Sequence, residues 1–343
     1  MSESPHALDE PRLAAYLKSA IPGFRGPLRA EKFTVGQSNP TYLLHAASGN
    51  YVLRRKPPGE LLKSAHAVDR EYRVMAALRD TEVPVAAVYH LCEDASIIGS
   101  MFFVMEYKAG RVFWNPALPE LDRAARSAVY DDMNRVLAAL HSVDIAAVGL
   151  TDYGRPGNYY ERQFSRWAQQ YRASETVTIA AMNQLMEWLP AHMPPDDGRV
   201  ALAHGDYRLD NLIFHASEPR VIAVVDWELS TLGHPFADLA YQCMQWHLPG
   251  SGELLPGLGG IDRAALGIPS DAEYVATYCD RMGLDEIPHW AFYLAFSFFR
   301  FAAIVQGVGK RALDGNASNP RAVEVGKLAR PLAEMAMAII EDD

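Results

Sequence analysis

Strand-like runs in this chain are confined almost entirely to its first 107 residues, and that asymmetry limits the folds open to it. AEKFTV (30–35), TYLLHA (41–46) and YVLRRK (51–56) are separated by GQSNP and by ASGN, both rich in residues that favour turns. LKSAHAVDREYRVMAALRD (62–80) then has helical spacing, with Ala67, Tyr72, Met75 and Leu78 near one side. Two further strands are expected around 86–92 and 101–107, with a hairpin near Gly99. A short helix over 9–21 precedes them, with Asp9 as N-cap and Pro11 in its first turn. From Pro119 onward the apolar spacing is helical, broken by one strand-rich island, NLIFH (211–215) and RVIAVVDW (220–227). The expected fold class is α+β. A small antiparallel β-rich N-terminal lobe, residues 1–107, precedes a larger, mostly helical C-terminal lobe, residues 108–343.

A chain of 343 residues is long enough to bury two such cores. The net charge of −10 lies wholly after residue 107, because residues 1–107 hold 12 basic and 12 acidic side chains. That sign opposes a polyphosphate backbone, so nucleic acid is not expected as a partner. The most apolar stretch, 290–308, is interrupted by Ser297, Arg300 and Gln306 and reads as a buried helix rather than a membrane span. Cys92, Cys243 and Cys279 form no disulfide or metal pattern, and the N-terminus lacks a basic start leading into an apolar run. Both observations point to a reducing, cytoplasmic setting.

The chemistry gathers around the island. HGDYRLDN (204–211) places a His, two Asp, an Arg and an Asn in eight residues, and VVDWE (224–228) drives another Asp to the end of an apolar strand. Buried carboxylates are costly unless something cationic meets them. Magnesium takes oxygen ligands, usually one or two carboxylates plus phosphate oxygens. Asn211 and Asp226 would offer an amide oxygen and a carboxylate from opposite ends of two neighbouring strands. Asp206 would then accept or orient the proton of an acceptor hydroxyl, because phosphoryl transfer asks a protein mainly for positioning and charge neutralisation. A metal-hydrolase reading of His204, Asp206 and Asp226 lacks the further His and acidic positions a two-metal site would need.

HGDxxxxN followed by the strand-end Asp resembles the phosphotransfer signature of aminoglycoside phosphotransferases and choline kinases. YVLRRKPPG, HAVDREYRVMAAL and VVDWELSTLGHPFADLAY are most similar to a bacterial branch whose relatives also occur fused to acyl-CoA dehydrogenases. The resemblance runs from about residue 30 to residue 330 and implies the bilobal fold of protein kinases. It implies ATP and Mg2+ as cofactors and a small-molecule hydroxyl as acceptor. Arg208 matches the basic position facing the transferred phosphate, where a guanidinium suits spread negative charge. His204 and Gly205 are implied as scaffolding, and Asp238 in GHPFADLAY as a structural acid. In the N-terminal lobe, Ser38 and Asn39 of VGQSN match a loop over the nucleotide phosphates. Arg54 aligns with the phosphate-anchoring Lys, with Lys56 as the fallback and Glu71 as the ion-pair partner. Glu106 and Tyr107 fall at the strand-to-helix hinge, where backbone groups would meet adenine. Glu228 would reach a second metal or face water.

Two readings compete with a small-molecule kinase. A nucleotide-binding regulatory module would have lost a catalytic group, yet base, metal ligands and anchor are all present. A protein kinase would carry an Ala-Pro-Glu segment after VVDWE, where this chain has STLGHPFADLA. The acidic C-terminal lobe favours a cationic acceptor, and kinship with dehydrogenase-fused relatives favours a hydroxyacyl compound. Arg300, among aromatic residues, is expected either in a buried ion pair or facing an anionic group of the acceptor.

Overall fold

The computed structural model describes residues 8–33, 39–57, 67–252, 254–315 and 321–341. The elements run α1 (Glu10–Ala20), β1 (Leu28–Lys32), β2 (Thr41–Ala46), β3 (Gly49–Arg55), α2 (Val68–Leu78), β4 (Val88–Cys92) and β5 (Phe102–Glu106). There follow α3 (Arg123–His141), α4 (Tyr159–Ser174), α5 (Ala180–Ala191), β6 (Ala201–Ala203), β7 (Leu212–Phe214), β8 (Val221–Val224) and β9 (Thr231–Gly233). The rest is helical: α6 (Phe236–His247), α7 (Arg263–Leu266), α8 (Asp271–Met282), α9 (Trp290–Leu313), α10 (Ala322–Gly326) and α11 (Ala329–Glu341). The chain divides into two compact units, Met1–Arg111 with Ile213–Leu229, and Val112–Leu212 with Ser230–Asp343.

The first unit is built on one antiparallel sheet in the order β1-β2-β3-β5-β4. Asp9 accepts the Arg12 N–H at 3.0 Å and starts α1, whose buried Leu13 and Leu17 sit one turn apart. That stripe packs on Leu28, Tyr42, Leu44, Leu53, Phe102 and Val104 of the sheet. α2 buries Val68, Glu71, Val74, Met75 and Leu78, so an acid sits on its apolar face. Its expected start at residue 62 lies outside the described residues, as do residues 34 and 35 of the first expected strand. Where the chain leaves β5, Arg111 and Phe214 exchange backbone hydrogen bonds of 2.8 Å each way. The Val224 N–H donates to the Pro84 carbonyl at 2.8 Å. These bonds tie the 213–229 segment to the first 111 residues.

The second unit packs around α9, of which 16 residues from Ala291 to Gly307 are buried. This helix is long and apolar enough to cross a membrane, but 89% of its most apolar window is buried against protein. α4, α6, α10 and α11 surround it. The expectation of a single strand-rich island needs correcting. β6 and β9 form a second, separate antiparallel pair, with Ala201 opposite Gly233 and Ala203 opposite Thr231. β6 is three residues long and buried on both faces, so it carries no alternation to read.

β6 leads straight into HGDYRLDN, and α6 fixes how that loop begins. Asp238, 1% exposed, accepts the N–H groups of His204 at 2.6 Å and Gly205 at 2.8 Å. His141 Nε2 of α3 stands 3.4 Å from the same carboxylate, while its Nδ1 meets the Tyr278 hydroxyl at 2.7 Å. Gly205 has φ +83°, a conformation in which a side chain would be strained. Burial alone would raise the Asp238 pKa. The hydrogen bond and charge of His141, the charge of His204 and the Gly205 N–H more than offset it, and the pKa is lowered.

The packing around Gly110 and Asp238 can be tested by substitution. A Cβ on Gly110 would collide with the Phe214 carbonyl and stand 2.6 Å from Ile213 Cγ2. Gly110→Ala should therefore cost about 1–3 kcal/mol of overpacking. Calorimetry should find Tm lowered by roughly 3–10 °C. Asp238→Ala leaves two buried N–H groups without an acceptor, at about 1–3 kcal/mol each. Because the folded Asp238 pKa lies below the unfolded value near about 3.9, its contribution is present above that pH. It is lost as pH falls through the folded value. A pH series of melting curves should show wild-type stability falling below about pH 4, and that acid-sensitive part should be reduced in Asp238→Ala.

Candidate active site

In the first unit, carboxylates converge on one guanidinium. Arg54 stands in β3 between Thr41 of β2 and Phe103 of β5. Its Nε lies 2.9 and 3.1 Å from the two Glu71 oxygens, and one terminal nitrogen lies 2.6 Å from Asp226 Oδ1. Glu228 Oε2 is 3.8 Å from that same nitrogen. Asp226 lies just past β8 with φ +66°, a left-handed conformation that Asp tolerates better than most residues. Burial works against the Arg54 charge, but Glu71, Asp226 and Glu228 outweigh it and raise its pKa. Burial pushes Glu71 up; Arg54 pulls it back, Asp226 and Glu228 add to the rise, and its pKa settles at about 7. Among the described residues, one guanidinium thus stands among a surplus of acidic groups, Glu71, Asp226 and Glu228.

That surplus bears on magnesium. Among the described residues no group of three or more His, Cys, Asp or Glu is placed to hold a metal by itself. A divalent ion that leans on phosphate oxygens needs no such cage, and an acid-rich cluster containing Asp226 fits it. Lys56 pairs instead with Asp69 at 3.5 Å. Asn39, expected on the phosphate side, lies beside Glu71. Its side chain is buried and its amide donates to Glu71 at 2.9 Å, because a buried carboxylate takes the nearest donors. Ser38 lies outside the described residues. Glu106 ends β5, where its N–H donates to the Ala87 carbonyl at 2.8 Å and its side chain meets Lys108 at 2.8 Å. Tyr107 follows, partly buried.

In the second unit, residues of HGDYRLDN are brought together around Asp206. The Asn211 amide nitrogen donates to both the Asp206 carbonyl and its Oδ2, at 2.9 Å each. With that nitrogen committed, the amide oxygen is the end turned away, the polarity a metal ligand requires. For Tyr241 of α6, burial first, then the charge of Asp206, raises the hydroxyl pKa. Arg208 makes a two-point ion pair with Asp210. Burial opposes the Arg208 charge, but the bonds and charge of Asp210 raise its pKa. Arg208, Asp210, Tyr241 and Phe301 line a cavity of about 390 Å3 that also holds Trp114 and Leu255.

Arg300 is not in the buried ion pair expected as one alternative. It makes no ion pair among the described residues. Instead it donates to the Gly205 carbonyl at 2.7 Å and lies over the rings of Tyr241 and Trp167, at 5.3 and 5.7 Å. A guanidinium is weakly hydrated and stacks on aromatic faces, so these contacts replace an acid. Asp238, read as a structural acid, does hold the loop. Tyr241 and Asp210 were missed: a Tyr in a buried helix reads as core, and an Asp inside a polar loop reads as a turn residue.

Residues 29–274 match the phosphotransferase enzyme family. Acyl-CoA dehydrogenase family member 10 of Mus musculus is 50% identical over 331 residues, covering 96% of this chain and 31% of that protein. Family member 11 of Homo sapiens is 42% identical over 339 residues, covering 97% of this chain and 43% of that one. The chain thus spans less than half the length of the curated relatives it matches. A crystal structure from Ralstonia eutropha, assigned as an aminoglycoside phosphotransferase, is 51% identical, with TM-score 0.89 over 98% of this chain and 99% of that one. A spectinomycin phosphotransferase solved with ADP and spectinomycin shares the fold at 14% identity and TM-score 0.63, over 96% of this chain and 98% of that one. The kinase-like α+β fold expected from the sequence is the one found, and the chain belongs to the phosphotransferase enzyme family.

Proposed function

We propose that this protein is a small-molecule kinase that moves the γ-phosphoryl group of Mg·ATP to an alcohol hydroxyl. The observation that carries the reading is Arg54, joined at once to Glu71 and Asp226, with Glu228 3.8 Å away. Such an arrangement suits a phosphate anchor beside a divalent-ion ligand. Asp226 and the Asn211 amide oxygen would hold magnesium, which when bound neutralises charge on the phosphates. Arg54 would steady the phosphates, and backbone groups near Glu106 and Tyr107 would meet the base. Asp206, oriented by Asn211, takes the proton of the acceptor hydroxyl as its oxygen forms a bond to the γ-phosphorus. The bond from that phosphorus to the ADP oxygen breaks, and Arg208 lies beside the group in flight.

The cavity beside Arg208 supports one acceptor class over another. Trp114, Leu248, Leu254, Leu255, Pro256 and Phe301 give it apolar walls. Its acid, Asp210, is already paired with Arg208. A cationic amino sugar or a choline-like alcohol would want unpaired carboxylates there. A hydroxy acid or hydroxyacyl thioester, with an apolar body, fits better, and acyl-CoA dehydrogenase relatives agree with that class.

ADP release with magnesium, tested against hydroxy acids, hydroxyacyl thioesters, amino sugars and choline, checks the reading. Turnover should appear with the first two classes. Nucleotide binding without turnover on any acceptor would instead mark a regulatory module. Asp206→Asn should bind Mg·ATP as wild type does, yet lose about 10²-fold or more in kcat; near-normal turnover removes it from the mechanism. Arg54→Ala should raise the KM for ATP strongly, about tenfold or more for a lost charged phosphate contact. Lys56→Ala should change it little, and the reverse pattern would make Lys56 the anchor.

A further inference from the structure

Leu248, Leu254 and Leu255 line the cavity beside Arg208, and the same three side chains line a second cavity of about 560 Å3. Both cavities lie wholly within the second unit, with the leucines as their common wall. That wall belongs to the loop leaving α6, and the neck of the loop is closed by backbone. The Gly259 N–H donates to the Leu248 carbonyl at 2.8 Å, and the Gly257 N–H to the Pro249 carbonyl at 3.1 Å. A Cβ on Gly257 would collide with the Leu248 carbonyl, so the two arms come this close only without a side chain there. Leu254 and Leu255, partly buried, are carried beyond that neck. Across them the second cavity is bounded by Leu328 and by Pro331, Leu332 and Met335 of α11. Its acid, Glu324, is paired with Arg321 at 2.9 Å, and Lys327 has no ion pair among the described residues.

We propose that the second cavity is a tail site for the acceptor, taking a straight aliphatic chain whose hydroxyl-bearing part lies beside Arg208. The inference rests on the phosphotransfer reading given above. The cavity beside Arg208, about 390 Å3, is near the small end of the roughly 300–1,000 Å3 that hold a ligand. The ion pair of Arg208 and Asp210 takes one side of it, so a longer acceptor must leave by another. The way past the leucines is apolar on both sides, and a chain that takes it leaves water without burying a polar group. Leu254 and Leu255 change rotamer to admit it, which breaks no hydrogen bond, while the neck of the loop stays tied. Selectivity for chain length then follows from the aliphatic area covered.

The probes are hydroxybutyrate and hydroxydodecanoate, each as the free acid and as its N-acetylcysteamine thioester, and dodecanoate, which has no hydroxyl to phosphorylate. ADP release with Mg·ATP gives KM for the first four, and calorimetry gives Kd for dodecanoate. In wild type the longer chain should have the lower KM, by about three- to fourfold for each methylene the cavity takes up. Leu328 is partly buried, so its replacement leaves the core of the unit in place. Leu328→Trp fills the cavity and Leu328→Glu puts a charge on the same wall; melting curves identify the folded variant, and either one suffices. Each should raise the KM for hydroxydodecanoate and the Kd for dodecanoate about tenfold or more, the equivalent of two methylenes lost. Hydroxybutyrate, too short to pass the leucines, should not share that rise. Short and long acceptors with equal KM in wild type, or raised alike by the Leu328 variants, would overturn the tail site and leave the kinase reading intact. So would Lys327→Ala raising KM for the free acids but not the thioesters, since the carboxylate and not the tail would then occupy the second cavity. ADP release from none of the four acceptors would remove the kinase reading and this inference with it, whatever dodecanoate does.

Discussion

The structure of the first unit is organised by the need to keep Arg54 charged inside protein. A guanidinium that leaves water must recover its solvation from fixed groups, and β3 delivers it between two strands to Glu71, Asp226 and Glu228. Each acid comes from a different setting: a helix face, a left-handed residue after a strand, and a short turn. The sheet, α2 and the 213–229 segment are therefore tied together by one electrostatic node as well as by apolar packing. Burial first, then the nearby Asp226 and Glu228, raises the proton affinity of Glu71, the most buried of these acids.

The second unit solves the same difficulty with backbone in place of a side-chain cation. Asp238 is buried as an anion because two consecutive N–H groups and a histidine face it. The loop between β6 and β7 gains its shape from that carboxylate, and Gly205 supplies the turn that lets both amides point the same way. Arg300 then works in the opposite sense, as a buried donor whose acceptor is a loop carbonyl. The loop is clamped by an anion on its donors and a cation on its acceptor.

How much of this could be read from the sequence depended on whether a residue's role leaves a mark in its neighbours' chemistry. HGDYRLDN and VVDWE were legible because polar groups clustered beside an apolar strand contribute little to packing and much to binding charge. The elements of the first unit were legible from their turns and periodicity, with β1 beginning two residues earlier than expected. The bond from Asn39 to Glu71 was not legible, because a loop position gives no sign of the buried acid beside it. β6 and β9 left no signal, since three residues buried on both faces have no period. Arg300 stood out as a charge among aromatics, but nothing in a sequence says that its partner would be a carbonyl 95 residues away.

The first unit is not a continuous stretch of chain, and that has a bearing on its birth. Asp226 follows Arg54 by 172 residues. At ribosomal speeds that separation lasts about 10–30 s. Through that interval Arg54 and Glu71 can pair without Asp226. The sheet can thus close early without waiting for the distant segment, and its negative character arrives only when residues 213–229 dock. The order of synthesis separates the making of a stable scaffold from the charging of its pocket.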